Sequence, residues 1–225
     1  MPNNSIKQQL ETRNISAKIG VRAVSQDGEG REIFGRAIPF DAPSLPIDGE
    51  FIEYIASDAF DESLADDWEV LLLNAHNWGE PLARRSAGRL TLEKREDGIY
   101  FAAQPPDTTR TQDLFKDIDA GNVAGCSFGF IVRADEWTKN EDGMNVRRIL
   151  KGDLYEISTV VNPAYPDTSV AKRSLDAAQA SARKAAESLN LRKAKLRLLQ
   201  AKSKIKNQKK KDKKYDTRRR KKGLP

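Results

Sequence analysis

Cysteine and histidine are almost missing from this chain: its 225 residues hold one of each, Cys126 and His76. One cysteine excludes an internal disulfide and fits a reducing compartment. One histidine means that any chemistry needing imidazole must use His76. That side chain, with an unperturbed pKa of about 6.5, can take and return a proton near neutral pH. Long apolar runs are absent as well. No stretch approaches the roughly 18 apolar residues of a membrane span, and the segment from Met1 to Gln8 lacks the apolar core of a secretory signal. A soluble, cytoplasmic product with no membrane contact is the expectation.

Charge is abundant but unevenly placed. Of 39 Lys/Arg and 33 Asp/Glu, the residues from Lys172 onward hold 21 and 4, leaving 18 and 29 for the first 171. The modest overall charge of +6 thus conceals an acidic body and a strongly basic tail. Residues 172–206 are rich in Ala, Leu, Lys and Arg and contain no Gly or Pro, as a long helix requires. Leu175, Ala182, Leu189 and Leu196 recur every seven residues, with Ala178, Ala185 and Leu199 alongside, but Arg192 interrupts that second stripe. Of residues 207–225, 12 are charged, and the segment is expected to be disordered. Lys/Arg runs release counterions on meeting phosphate, and Tyr215 is the sole aromatic there, so nucleic-acid binding by this tail would be non-specific.

The first 171 residues read as strands at short spacing. Ile15, Ala17, Ile19, Val21 and Ala23 alternate with more polar residues, predicting a strand over 14–23. Asp27 to Gly30 turns it into a second strand, 32–40. Residues 41–49 are loop, 51–56 a strand, and Ser57 or Asp58 is placed to cap a short helix carrying Phe60 and Leu64. A buried strand over 69–73 runs up to His76. Asp97-Gly98 predicts a hairpin between strands 89–94 and 99–103. Asp107 or Thr108 caps a helix with Leu114, Phe115 and Ile118 on one face and Gly121 at its end. Strands over 126–133 and 153–161 follow, with 146–150 pairing between them. This pattern predicts an α+β domain on a largely antiparallel sheet or barrel.

Two segments offer His76 partners. Ser127 lies in Gly125-Cys126-Ser127-Phe128-Gly129-Phe130, whose glycines weaken a strand and mark close backbone approach. Cys126 is the rival nucleophile, and strand alternation sends the two side chains to opposite faces. Glu156 interrupts the apolar run 154–161, where a buried carboxylate needs a partner. His76, Arg147, Arg148 or an exposed sheet face could each supply it, and Asp153 is the second-choice acid. A nucleophilic serine requires a base within hydrogen-bond reach and a third group that fixes the imidazole. Taken alone, a histidine after an apolar strand is ordinarily structural and a strand serine is ordinarily satisfied by its neighbours.

The ordered set of residues resembles a known family. A His after a strand, a serine in a Ser-Phe-Gly-Phe strand about fifty residues on, and Tyr155-Glu156-Ile157-Ser158 running into Val161-Asn162-Pro163-Ala164-Tyr165-Pro166 are similar to the HK97-type prohead maturation proteases of tailed bacteriophages. The likeness includes the Ile33-Phe34-Gly35-Arg36-Ala37 strand and the helix before Ser127. It implies the fold of the herpesvirus capsid-assembly proteases, a closed, largely antiparallel β-barrel with flanking helices.

By function, the resemblance implies a serine endopeptidase of capsid maturation that needs no cofactor or metal. It would work within the assembling prohead in the host bacterial cytoplasm, cleaving scaffold or the scaffold-like segment of the major capsid protein, with self-cleavage included. Carried over, Ser127 is the nucleophile, His76 the general base and Glu156 the acid. The herpesvirus enzymes use two histidines, which this chain cannot. Arg147 and Arg148 are the side chains considered for the oxyanion. The organisation expected is a flexible N-terminus over 1–13, a protease domain over 14–171, a basic helical segment over 172–206 and a disordered basic tail over 207–225. That tail would contact acidic scaffold or nucleic acid, and homo-oligomerisation is left open. The competing reading is a non-enzymatic assembly or nucleic-acid-binding factor acting through the tail.

Overall fold

A computed structural model of the chain describes residues 9–15, 19–24, 30–65, 68–161, 175–189, 191–193 and 195. It divides into two compact units, Met1–Ser174 and Leu175–Pro225. In the second unit the described residues 175–189 and 191–193 are helical. Residues 1–8 of the expected flexible N-terminus and the whole 207–225 tail lie outside the described residues.

The strand predicted over 14–23 is two strands, β1 (Glu11–Ile15) and β2 (Ile19–Ala23), which join different sheets. β2 begins a four-stranded sheet ordered β2-β3-β8-β7, with β3 over Arg31–Pro39, β7 over Leu90–Arg95 and β8 over Gly98–Ala103. The β7–β8 hairpin forms where Asp97-Gly98 predicts it, with Arg95 paired to Gly98. Gly98 is required there: its φ is +157°, and a Cβ would lie 2.2 Å from the Ile38 carbonyl oxygen. The helix α1 (Thr109–Asp119) is capped by Thr108, whose side chain accepts from the Thr111 N–H. It buries Leu114, Phe115 and Ile118, and the chain leaves it through Gly121 at φ +78°. A cap of this kind contributes about 1 kcal/mol. The short helix expected after residue 57 is a single 3-10 turn, Asp61–Leu64, and it has no side-chain cap.

The second sheet is built on two long strands, β9 (Gly125–Lys139) and β10 (Asn145–Val160), which pair antiparallel along their whole length. β1 adds to β9, antiparallel. On the far side of β10, β4 (Phe51–Ile55) and β5 (Leu71–Asn74) lie one after the other, both parallel to it, and the two-residue β6 (Ala83–Arg84) extends β5. Residues 125–131 of β9 are buried without interruption, so this part of the sheet is covered on both faces. One face, with Cys126, Phe128, Phe130, Leu72 and Ile157, packs into the main hydrophobic core. Phe60 meets Phe128 and Phe130 edge to face, at ring centroid distances of 6.2 and 5.6 Å. Each such pair contributes about 0.5–1.5 kcal/mol beyond its buried area.

The closed barrel expected from the resemblance does not form. Both sheets are open, and among the described residues no ladder joins one to the other. The break is visible between β6 and β7. There the chain makes a 3-10 turn at Arg85–Ala87 and passes through Gly88 at φ +68°, instead of continuing as strand. The Arg85 guanidinium anchors that corner by donating to the carbonyls of Leu64 (2.7 Å), Ala65 (2.8 Å) and Ser63 (3.2 Å). Among the described residues β7 has no strand on its outer edge, and most of its side chains are exposed, as an edge strand with Glu93, Lys94 and Arg95 tolerates.

β1 is held by charge. Arg13 donates to both oxygens of Glu53 (2.7 and 2.8 Å) and to Glu11 (2.5 Å). Arg147 donates to both oxygens of Glu11 (2.7 and 3.1 Å), to Glu53 (3.2 Å) and to Asp135 (2.8 Å). Arg147 is 1 % exposed. Burial disfavours its charge, yet the hydrogen bond to Glu11 and the charges of Glu11 and Glu53 outweigh burial and raise its pKa above the ordinary arginine value. Burial likewise opposes the Glu11 carboxylate, and the two arginines still hold it below the usual carboxylate range. This network ties β1, β4, β9 and β10 together.

Candidate active site

The opposite face of β9 and β10 is polar. Register pairs Ser127 with Ser158 and Gly129 with Glu156, so these four positions share one face, while Cys126 and Phe128 point to the other. Ser127, Glu156 and Ser158 are each 0 % exposed. Gly129 leaves the room that Glu156 needs: a Cβ there would stand 2.5 Å from Glu156 Oε1. The close approach marked by this glycine is therefore that of a carboxylate from the neighbouring strand.

His76 arrives from β5, which runs parallel to β10 with Leu71 opposite Glu156 and Leu73 opposite Ser158. The chain leaves β5 through two successive residues in the left-handed region, Ala75 at φ +50° and His76 at φ +59°. Such backbone is uncommon for residues with a Cβ and persists where the surroundings hold it. Three hydrogen bonds do so. The Ala75 N–H donates to the Thr159 carbonyl (2.9 Å), the His76 N–H to Ser158 Oγ (3.2 Å), and Asn77 N–H to the Asn74 carbonyl (3.0 Å).

The turn carries the imidazole back over β10, where His76 Nδ1 lies 2.7 Å from Glu156 Oε1. A carboxylate offers only lone pairs, so Nδ1 carries the hydrogen and donates it, leaving the Nε2 lone pair available. Glu156 Oε2 accepts from Ser158 Oγ at 2.6 Å. Burial pulls the His76 pKa down, but the hydrogen bond to Glu156 and its charge more than reverse this, so it lies above the ordinary imidazole value. The His76 side chain is 30 % exposed, in contrast to its partner.

Ser127 shares the polar face, but its Oγ has no hydrogen-bond partner among the described residues. It makes no bond to His76. A buried, unpaired hydroxyl costs about 1–3 kcal/mol, and native structures retain few of them. The other residues weighed from sequence lie elsewhere. Cys126 is in the apolar core, where burial first and the Glu156 charge second push its thiol pKa up; a thiol so held is a poor nucleophile. Asp153 accepts from Arg133 Nε at 2.6 Å. Arg147 belongs to the buried network described above, and Arg148 pairs with Asp41 at 2.5 Å. Ser158 was not singled out from sequence: a serine inside a β-strand carries no signal of its own. Among the described residues no group of His, Cys, Asp and Glu side chains has the make-up of a metal centre, and no helix is long and apolar enough to cross a membrane.

A serine, an imidazole and a carboxylate on one face of a sheet have the composition of a Ser-His-acid hydrolase centre. The chain belongs to the caudovirus prohead serine proteases, whose family model matches residues 17–181. It is thus a protease of the phage prohead, the immature capsid. Its structure is similar to that of the bacteriophage T4 capsid assembly protease, gp21, at 12 % identity and a TM-score of 0.46, covering 68 % of this chain and 98 % of that one. No match was found among curated proteins.

Proposed function

We propose that the chain is a serine endopeptidase in which Ser127 is the nucleophile, His76 the general base and Glu156 the acid that orients it. The observation that carries this reading is the pairing of the chain's one histidine, through Nδ1, with a fully buried carboxylate on the same sheet face as an unpartnered serine hydroxyl. Ser158 is less suited to attack, because its proton is already committed to Glu156.

In the reaction, Ser127 Oγ forms a bond to the carbonyl carbon of the scissile peptide while its proton passes to His76 Nε2. Glu156 steadies the imidazolium through Nδ1–H. The tetrahedral intermediate collapses as the C–N bond breaks and Nε2–H gives its proton to the departing amine nitrogen. Water, deprotonated by the same Nε2, then attacks the acyl carbon; the C–Oγ bond breaks, Nε2–H returns its proton to Ser127 Oγ and the carboxylic acid product leaves. Hydrogen bonds of this kind tighten in the complex with substrate, so the missing Ser127–His76 bond is compatible with the mechanism. At 0 % exposure, Ser127 has to be uncovered before a peptide carbonyl can reach it.

The substrates proposed are scaffold or the scaffold-like segment of the major capsid protein, with self-cleavage included. The protease domain is proposed to span 14–171, with the basic residues 172–225 contacting acidic scaffold. Co-expression with the capsid protein of the same phage, read by intact mass, tests the site. Wild type and Cys126→Ala are expected to process it; Ser127→Ala and His76→Ala are not. Continued cleavage by Ser127→Ala would sink the serine assignment.

A further inference from the structure

We propose that Ser158 is the positioning residue of this centre: its hydroxyl fixes the plane in which the Glu156 carboxylate meets His76, and it pins the strained His76 turn to the sheet. The proposal rests on the reading of His76 as base and Glu156 as its acid.

A hydroxyl has one hydrogen to donate and two lone pairs to offer, and Ser158 divides them between the two other groups. It donates to Glu156 Oε2 at 2.6 Å and accepts from the His76 backbone N–H at 3.2 Å. One side chain therefore fixes both the carboxylate and the backbone that carries the imidazole. Without it, Oε2 would lose this donor, and the carboxylate plane would be free to turn away from the angle at which Oε1 meets Nδ1. The His76 N–H, in a residue at φ +59°, would lose an acceptor at the same time. Ser158 is 0 % exposed, so solvent does not stand ready to replace either bond. It also sits directly opposite Ser127 in the ladder, a distance of about 4.5–5.5 Å between Cβ atoms. Its hydroxyl thus lies among the nucleophile, the acid and the base turn.

A single histidine makes the test direct, because its imidazole C–H resonance needs no assignment among others. The full chain in a Ser127→Ala background, which prevents self-cleavage, is titrated by proton NMR alone and with Ser158→Ala, Glu156→Gln or both. Glu156 is the charged group acting on His76, so Glu156→Gln should lower the midpoint toward the ordinary value of about 6.5. Ser158→Ala is expected to lower it in the same direction, and to add nothing once Glu156 is Gln. In the active chain, Ser158→Ala should reduce kcat by roughly ten- to a hundredfold with KM little changed, the mark of misplaced rather than missing groups. An unchanged or raised midpoint in Ser158→Ala would mean that Glu156 keeps its place without the hydroxyl, and would overturn the proposal. So would a further fall in the double variant. Cleavage that persists in the Ser127→Ala chain would instead refute the serine reading while leaving the titration result valid.

Discussion

Two polar clusters are buried in the same sheet, and they differ in how completely they are satisfied. Around Arg147, two guanidinium groups and three carboxylates exchange paired hydrogen bonds until every charge has an opposite neighbour. Around Glu156, the hydroxyl of Ser127 is unpartnered, the His76 backbone is strained, and one titratable ring is partly exposed. The first cluster costs desolvation and returns it in fixed geometry, which makes it a joint between strands. The second leaves the Ser127 hydroxyl unmet beside a paired imidazole and carboxylate, as the proposed active site requires if it is to react with something else. Burial of polar groups alone separates nothing; the unmet hydrogen bond does.

The difference can be broken from either side. His76→Ala should lower the cleavage rate by about 10⁴-fold or more, while lowering the urea midpoint by less than the loss of Arg147 does, because Ser158 still donates to Glu156. Arg147→Met should do the reverse. It removes the cation shared by Glu11, Glu53 and Asp135 and leaves Arg13 as the arginine on Glu11 and Glu53, and is expected to cost about 3–5 kcal/mol in urea unfolding, with the cleavage rate per folded molecule little changed. Gly129→Ala sharpens the contrast from inside the site. A methyl group 2.5 Å from Glu156 Oε1 must displace the carboxylate, and single-turnover cleavage should slow by roughly 100-fold while circular dichroism stays the same. Ser127→Ala removes the unpaired hydroxyl and should leave the thermal midpoint equal to wild type or higher, a gain of about 1 kcal/mol at most. A clear loss of stability in that variant would mean that the hydroxyl is satisfied after all.

The pH dependence gives a final separation. The folded pKa of His76 lies above its unfolded value, so its pairing with Glu156 stabilises the fold fully below about pH 6.5 and is lost as pH rises through the folded pKa. With His76 as the proposed base, catalysis has the opposite slope, because that base has to be neutral, and kcat/KM should rise through the same folded pKa. In Glu156→Gln the rising limb should move to lower pH, a shift checked by a pH–rate profile.

Much of this was legible in the residues. Asp97-Gly98 specified a hairpin because its turn has a narrow choice of chemistry, and Thr108 with Leu114, Phe115 and Ile118 specified a capped, one-sided helix. The order of His76, Ser127 and Glu156 drew attention to three side chains that share a sheet face, two of them hydrogen-bonded. The ion network was illegible for a physical reason. Glu11 and Arg13 alternate like an exposed strand, and only partners 40 and more residues away turn them inward. The left-handed turn at Ala75 and His76 has no sequence mark, since neither residue is a turn former. The strand spacing allows an antiparallel sheet or a barrel and only the resemblance chooses the closed barrel, whereas the Arg85 corner shows why closure fails between β6 and β7.

β10 is the shared neighbour of β9, β4 and β5, and this bears on when the molecule can assemble. His76 is synthesised long before its partner on β10, since Glu156 lies 80 residues later in the chain. At ribosomal speed that interval is on the order of ten seconds. Until the last third of the protease region has emerged, β4 and β5 have no strand to lie along and the imidazole has no acid. A nascent chain therefore carries Ser127 and His76 without the carboxylate that His76 pairs with in the fold. The order of translation itself delays proteolytic competence until the fold is nearly complete.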